Sequence, residues 1–146
     1  MLAIADAVAT RFGTVATPSG ETVALVGSTA RTPNNLPGTP YIVVELPSSD
    51  EVTIASGRRD GVHDFDVYFL LERASGDIPR DKVRLLRWLP GLLDATYGAM
   101  KLALATVKKS YVVEYEYGTY NYGGTEYHSW HLVCRVWTED TVTLTP

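Results

Sequence analysis

The sequence predicts an α+β domain in which a mixed or antiparallel β-sheet packs against a short N-terminal helix and a central helix. Three observations predict it. Apolar residues recur at helical spacing in two separate stretches, 4–12 and 78–97. Runs with two-residue alternation lie between and after them, and the order helix, strands, helix, strands lacks the alternating βαβ units of a doubly wound fold. At 146 residues with 45% apolar and 21% charged side chains, the chain has the material for one core, read as a single domain over 1–146.

The first helix rests on Ile4, Ala5, Val8, Ala9 and Phe12, with Asp6, Thr10 and Arg11 elsewhere on the wheel and Gly13 placed to end it. From Thr14 to Pro40 small and turn-forming residues dominate. The three prolines of Thr32 to Pro40 cannot donate to a sheet ladder, which predicts a long surface loop. Within it only Glu21 to Val26, where Val23 and Leu25 alternate with smaller residues, has strand character. Tyr41 to Leu46 is rich in β-branched residues and lies between prolines, a strand that Pro47 ends.

Glu51 to Ala55 and Val62 to Glu72 form a hairpin around Ser56-Gly57-Arg58-Arg59-Asp60-Gly61, giving it a basic tip. In the second arm His63, Phe65, Val67, Phe69 and Leu71 fall on one face and Asp64 and Asp66 on the other, so the odd-numbered face meets the core. Asp77-Ile78-Pro79 starts the central helix with a capping carboxylate and an early proline. Val83, Leu86, Leu89, Leu93 and Tyr97 supply its apolar stripe, and Gly98 closes it. Pro90 removes one helical N–H at a cost on the order of 3 kcal/mol, which predicts a kink or restart near Leu89. Val107 to Tyr117 and Glu126 to Thr138 form the last strand pair around a Gly118 to Thr125 loop with a Gly123-Gly124 turn.

Composition narrows the function. Thirteen basic against seventeen acidic side chains give a net charge of −4, the wrong sign for a surface that grips phosphates. The lone Cys134 forms neither an internal disulfide nor a zinc site, a usage that fits a reducing cytoplasm. No run approaches the roughly 18 apolar residues of a membrane span. The start of the chain lacks the basic segment of an export signal.

No phosphate-binding glycine loop, zinc-protease or nucleophile-elbow motif occurs. His63 points away from Asp64 and Asp66, and His128 and His131 lie on opposite strand faces, so neither pair makes an acid–base or metal cluster. Cys134 shares a strand face with Trp130, Leu132 and Val136, an apolar setting in which a thiol is inert. No catalytic, metal or cofactor-binding residues are assigned, and the expectation is a protein that is not an enzyme.

Two features point to association. The Tyr111 to Trp130 stretch holds six of the nine tyrosines interleaved with Glu114, Glu116 and Glu126, an amphipathic ribbon suited to a protein interface, a sugar-stacking platform or a half-exposed β-ribbon. Charge is segregated: residues 73–109 carry eight basic against three acidic side chains, a net +5, while residues 1–72 sum to −5 and 110–146 to −4. Patches of opposite sign allow copies to pair head to tail and, where the rotation closes, to form a ring.

Ala5-Asp6-Ala7-Val8-Ala9, the Pro-rich loop into Pro40-Tyr41-Ile42-Val43-Val44, the hairpin, the central helix and Tyr122-Gly123-Gly124-Thr125-Glu126-Tyr127 near the last turn together give an order of elements. In length, order and flavour, over nearly the full chain, it resembles the tail terminator (tail-completion) proteins of long-tailed bacteriophages. The resemblance implies a structural subunit of the virion tail or neck, assembled in the host cytoplasm. Such a subunit forms a homo-oligomeric ring, a hexamer in that family, that stops tail-tube polymerisation and joins the tail to the head. Its partners are further copies of itself, the tail tube protein and the head–tail connector protein; DNA passes through the lumen without specific binding, and no membrane is involved. On this reading Tyr115, Tyr117, Tyr120, Tyr122 and Tyr127 join neighbours, while Arg58, Arg59 and the Thr32 to Pro40 loop reach toward tube or connector. A head–tail connector or stopper ring component and a glycan-binding β module are the alternatives.

Overall fold

A computed structural model of the chain describes residues 2–30, 36–47, 49–55, 58–73, 78–97 and 100–141. The elements are α1 (Leu2–Phe12), β1 (Gly27–Thr29), β2 (Tyr41–Val44), β3 (Ser49–Ala55), β4 (Arg58–Arg73), α2 (Ile78–Leu93), β5 (Val107–Tyr122) and β6 (Thr125–Thr141). The six strands form one mixed sheet in the order β1-β2-β4-β6-β5, with β3 pairing the first half of β4 on the side where β2 pairs its second half. Among the described strands only β1 and β2 run parallel. This is the α+β arrangement of two helices and one sheet that the sequence predicts.

The sheet has one covered and one open face. Alternation along β4 sends His63, Phe65, Val67, Phe69 and Leu71 to the covered face, all buried as the periodicity predicts. Leu132, Cys134 and Val136 meet them from β6, Ile42 and Val44 from β2, and Ala5, Val8, Ala9 and Phe12 from α1. Helix α1 lies against β1 and β2; the Ser28 hydroxyl donates to the Ala9 carbonyl at 2.6 Å, and a side chain on Gly13 would collide with that hydroxyl. The Cys134 thiol is pushed up to about 12, by burial first and then by the Asp64 charge, in keeping with an inert core residue.

Helix α2 buries Leu85, Trp88 and Leu92, a different stripe from the one its spacing suggests. Leu89 and Leu93 are half-buried, whereas Val83, Leu86 and Tyr97 are exposed at 50–54%. The selection follows from Trp88, whose indole packs on Phe69 at 5.0 Å and reaches a hydrogen-bond partner in Glu21. From the sheet side, Trp130 Nε1 donates to the Leu85 carbonyl at 2.7 Å. The helix continues through Pro90 to Leu93 as one element and does not restart at Leu89.

Other expectations shift. Glu21–Val26 is not a strand; pairing begins at Gly27, because Glu21 is drawn under α2 and the Val26 N–H is taken by the Pro40 carbonyl. The loop foreseen at 118–125 contracts to two residues: Gly123 and Gly124 have φ of 58° and 83°, the left-handed pair that a type I′ hairpin turn requires. Gly118 to Tyr122 are ladder residues despite their loop-like composition. Residues 31–35 of the Pro-rich loop, the Ser56-Gly57 turn, the Asp77 cap and Gly98 lie outside the described residues.

Candidate interaction surface

The open face is where polar and aromatic side chains collect. Cross-strand register sets Asp64 opposite Arg135, Asp66 beside His131, and Tyr68 between His131 and Val43. Each pair is used. Arg135 donates to Asp64 through Nε at 2.8 Å and Nη2 at 3.1 Å, a two-pronged bond that, against the opposing effect of burial, raises the guanidinium pKa further. His131 Nε2 donates to Asp66 Oδ1 at 2.7 Å, and the imidazole lies flat on Tyr68 with 4.7 Å between centroids.

Tyr68 also packs against Tyr120 at 4.3 Å, and the Tyr120 hydroxyl donates to Glu45 at 2.8 Å. Burial, the bond to Glu45 and that carboxylate's charge all hold the Tyr120 phenol well above its ordinary pKa. Tyr68 is raised too, by burial first and then by the charges of Glu45 and Asp66. Beside these rings lies an open depression of about 380 Å³ that includes Glu116, Asn121 and Ser129 in its lining. Tyr41, Val43 and Leu70 form a small second core on this face under Leu36. Among the described residues no helix covers it.

The five tyrosines singled out from sequence divide between the two faces. Tyr120, Tyr122 and Tyr127 stand on the open face; Tyr115 and Tyr117 stand on the helix side, edge-on to Trp130. On β5 the division is that of odd and even positions; a bulge between Val112 and Glu114 gives β5 an extra residue there and sets which face each parity takes beyond it. Tyr117 lies at the margin of the helix layer, with Lys82 Nζ 5.6 Å from its ring centre and its hydroxyl 3.3 Å from His128 Nδ1. Tyr122 is buried, its hydroxyl without a hydrogen-bond partner among the described residues.

Arg58 and Arg59 do not form a free basic tip. They open β4, paired in the ladder with Ala55 and Ile54 on one side and Thr141 and Asp140 on the other. Arg58 bridges Asp60 at 3.0 Å and Arg59 bridges Asp140, so both charges are largely answered within the chain. His63 is buried on the covered face near Thr138, away from Asp64 and Asp66, as strand geometry dictates.

Two features escape sequence reasoning. His131 and Asp66 are 65 positions apart, and only the β4–β6 register brings them together. Glu21, 4% exposed, accepts from Arg84 Nε at 3.1 Å, Arg87 Nη1 at 3.2 Å and Trp88 Nε1 at 3.2 Å, clipping the 14–26 segment to α2. Arg84 also bridges Glu72 at 2.8 Å; burial opposes its charge, but the bonds to Glu72 and Glu21 outweigh it and leave its pKa raised.

Among the described residues, no three His, Cys, Asp or Glu side chains converge as a metal site, and no helix is long and apolar enough to cross a membrane. A scan against protein-family models gave no match, and neither did a search of curated proteins.

Proposed function

We propose that this chain is a tail-terminator subunit: a structural phage protein that assembles into a ring, ends tail-tube polymerisation and offers a face to the head connector. The observation that carries the reading is the two-layer build, with helices on one sheet face and an aromatic, carboxylate-rich surface on the other. A sheet face that no described helix covers and the outer edge of β5 beyond Val113, where no strand pairs among the described residues, are surfaces that folded partners can complete. The resemblance in length and element order supplies the phage setting, and the net charge of −4 suits a lumen that lets DNA pass.

A sugar-stacking role for the tyrosines is less well supported, because Tyr68 presents its ring to Tyr120 and His131 and Tyr120 presents its own to Tyr68. The test is electron microscopy of virions assembled without the chain. Overlong tails are expected. Tails of normal length overturn the reading, and normal tails on heads that leak DNA assign the chain to the connector instead.

A further inference from the structure

Helix α2 carries more apolar surface than its own core uses. Val83 is 51% exposed and Leu86 50% exposed, and with the exposed Pro90 they form a second stripe at i, i+3 and i+7, facing away from the sheet. Val23 extends it, lining the same depression as Val83. The stripe is flanked by Lys82 and Arg87, both exposed; Arg87 is held by Glu21, and Lys82 has no ion-pair partner among the described residues. A helix presenting an apolar stripe beside Lys82, whose charge meets the Tyr117 ring but no carboxylate among the described residues, suits an amphipathic, acidic counterpart.

The molecule carries such a counterpart on its opposite side. Across the middle of the open sheet face, Glu45, Glu51, Asp64, Asp66, Glu114 and Glu116 stand against Lys109 and Arg135. Glu114 and Glu116 are exposed and have no ion-pair partner among the described residues, and Glu116 borders the Tyr68–Tyr120 rings. We infer that α2 of one copy docks on the open sheet face of the next. Val83 and Leu86 then lie against the Tyr68–Tyr120 surface, with Lys82 near Glu114 and Glu116. Because the two surfaces sit on opposite sides of one subunit, the contact is heterologous and propagates in one direction, closing into a ring when the rotation permits. This rests on the ring-forming role proposed above and names the surfaces that make the ring.

The experiment is sedimentation equilibrium of the purified full chain, alone, across a concentration series. The parent chain should associate. Leu86→Asp, which alters an exposed position, should weaken association about tenfold or more while its thermal unfolding stays that of the parent. Lys82→Glu should weaken it, Glu114→Lys with Glu116→Lys should weaken it, and the triple variant should recover part of the loss. A parent chain that remains monomeric, a Leu86→Asp chain that associates like the parent, or charge reversals without effect would each overturn the docking. None of these results alters tail length in virions lacking the chain, so the terminator reading stands or falls separately.

Discussion

The two faces of one sheet are built on different physics. On the covered face Phe65, Phe69, Leu132 and Val136 are fully buried against two helices, and stability comes from apolar area removed from water. On the open face the same strands carry Asp64–Arg135, Asp66–His131 and the Tyr68–Tyr120 pair, which cross-strand neighbours satisfy and which, among the described residues, no helix layer covers. Such half-buried, partly solvated cross-strand pairs contribute modestly to folding. Outside the small Tyr41–Val43–Leu70 core, the open face can therefore vary in chemistry at little cost to the fold, which is the freedom a contact surface requires.

That contrast is open to measurement. Phe69→Ala removes a fully buried ring packed on Trp88 and should cost about 4 kcal/mol in denaturant unfolding. Glu21→Ala leaves Arg84, Arg87 and the Trp88 indole N–H without their shared acceptor. Because both arginines are partly solvated, a loss of about 2 kcal/mol is expected in the same assay. On the open face His131→Ala should cost about 1 kcal/mol or less; a loss as large as that of Phe69→Ala would erase the distinction between the faces.

The smallest effect at neutral pH belongs to the phenols, and alkali exposes it. Tyr68, Tyr120 and Tyr122 all hold their protons more tightly in the folded chain than their ordinary value of 10.0. A raised folded-state pKa contributes stability that is fully present below the unfolded pKa and is lost as pH rises through the folded one. Unfolding free energy should thus fall progressively above about pH 10, and Tyr120→Phe should reduce that fall; an unchanged alkaline slope would contradict the tight packing of this ring.

The elements whose partners lie along one strand were legible in the sequence. The odd face of β4 followed from strict two-residue alternation, and α1 from a single apolar stripe ending at Gly13. In α2 the periodicity admits two stripes, the expected 83/86/89/93 and the buried 85/88/92, and only the contact of Trp88 with Phe69 and Glu21 decides between them. The Gly-Ser-Thr of β1 has no hydrophobic period, and its strand character comes from Tyr41–Val43 alongside. The open-face cluster was illegible for a related reason: Asp66 could be placed on a solvent-facing side, but its partner depends on register across 65 positions. The tyrosines were visible as a group and their odd–even division follows from alternation, whereas which side each set faces depends on the unpaired Val113.

That extra residue has a consequence for how the strand tolerates change. Deleting Val113 would join Val112 directly to Glu114 and leave each later side chain opposite its present neighbour on β6, since the ladder already skips it. Deleting Glu116 would instead roll one arm of the hairpin over, sending Tyr115 outward if the tip keeps its pairing or Tyr117 to Tyr122 across the sheet if the base does. Slack in β5 is confined to two positions, Lys108 and Val113, and everything distal to Val113 is geared to β6 tooth by tooth.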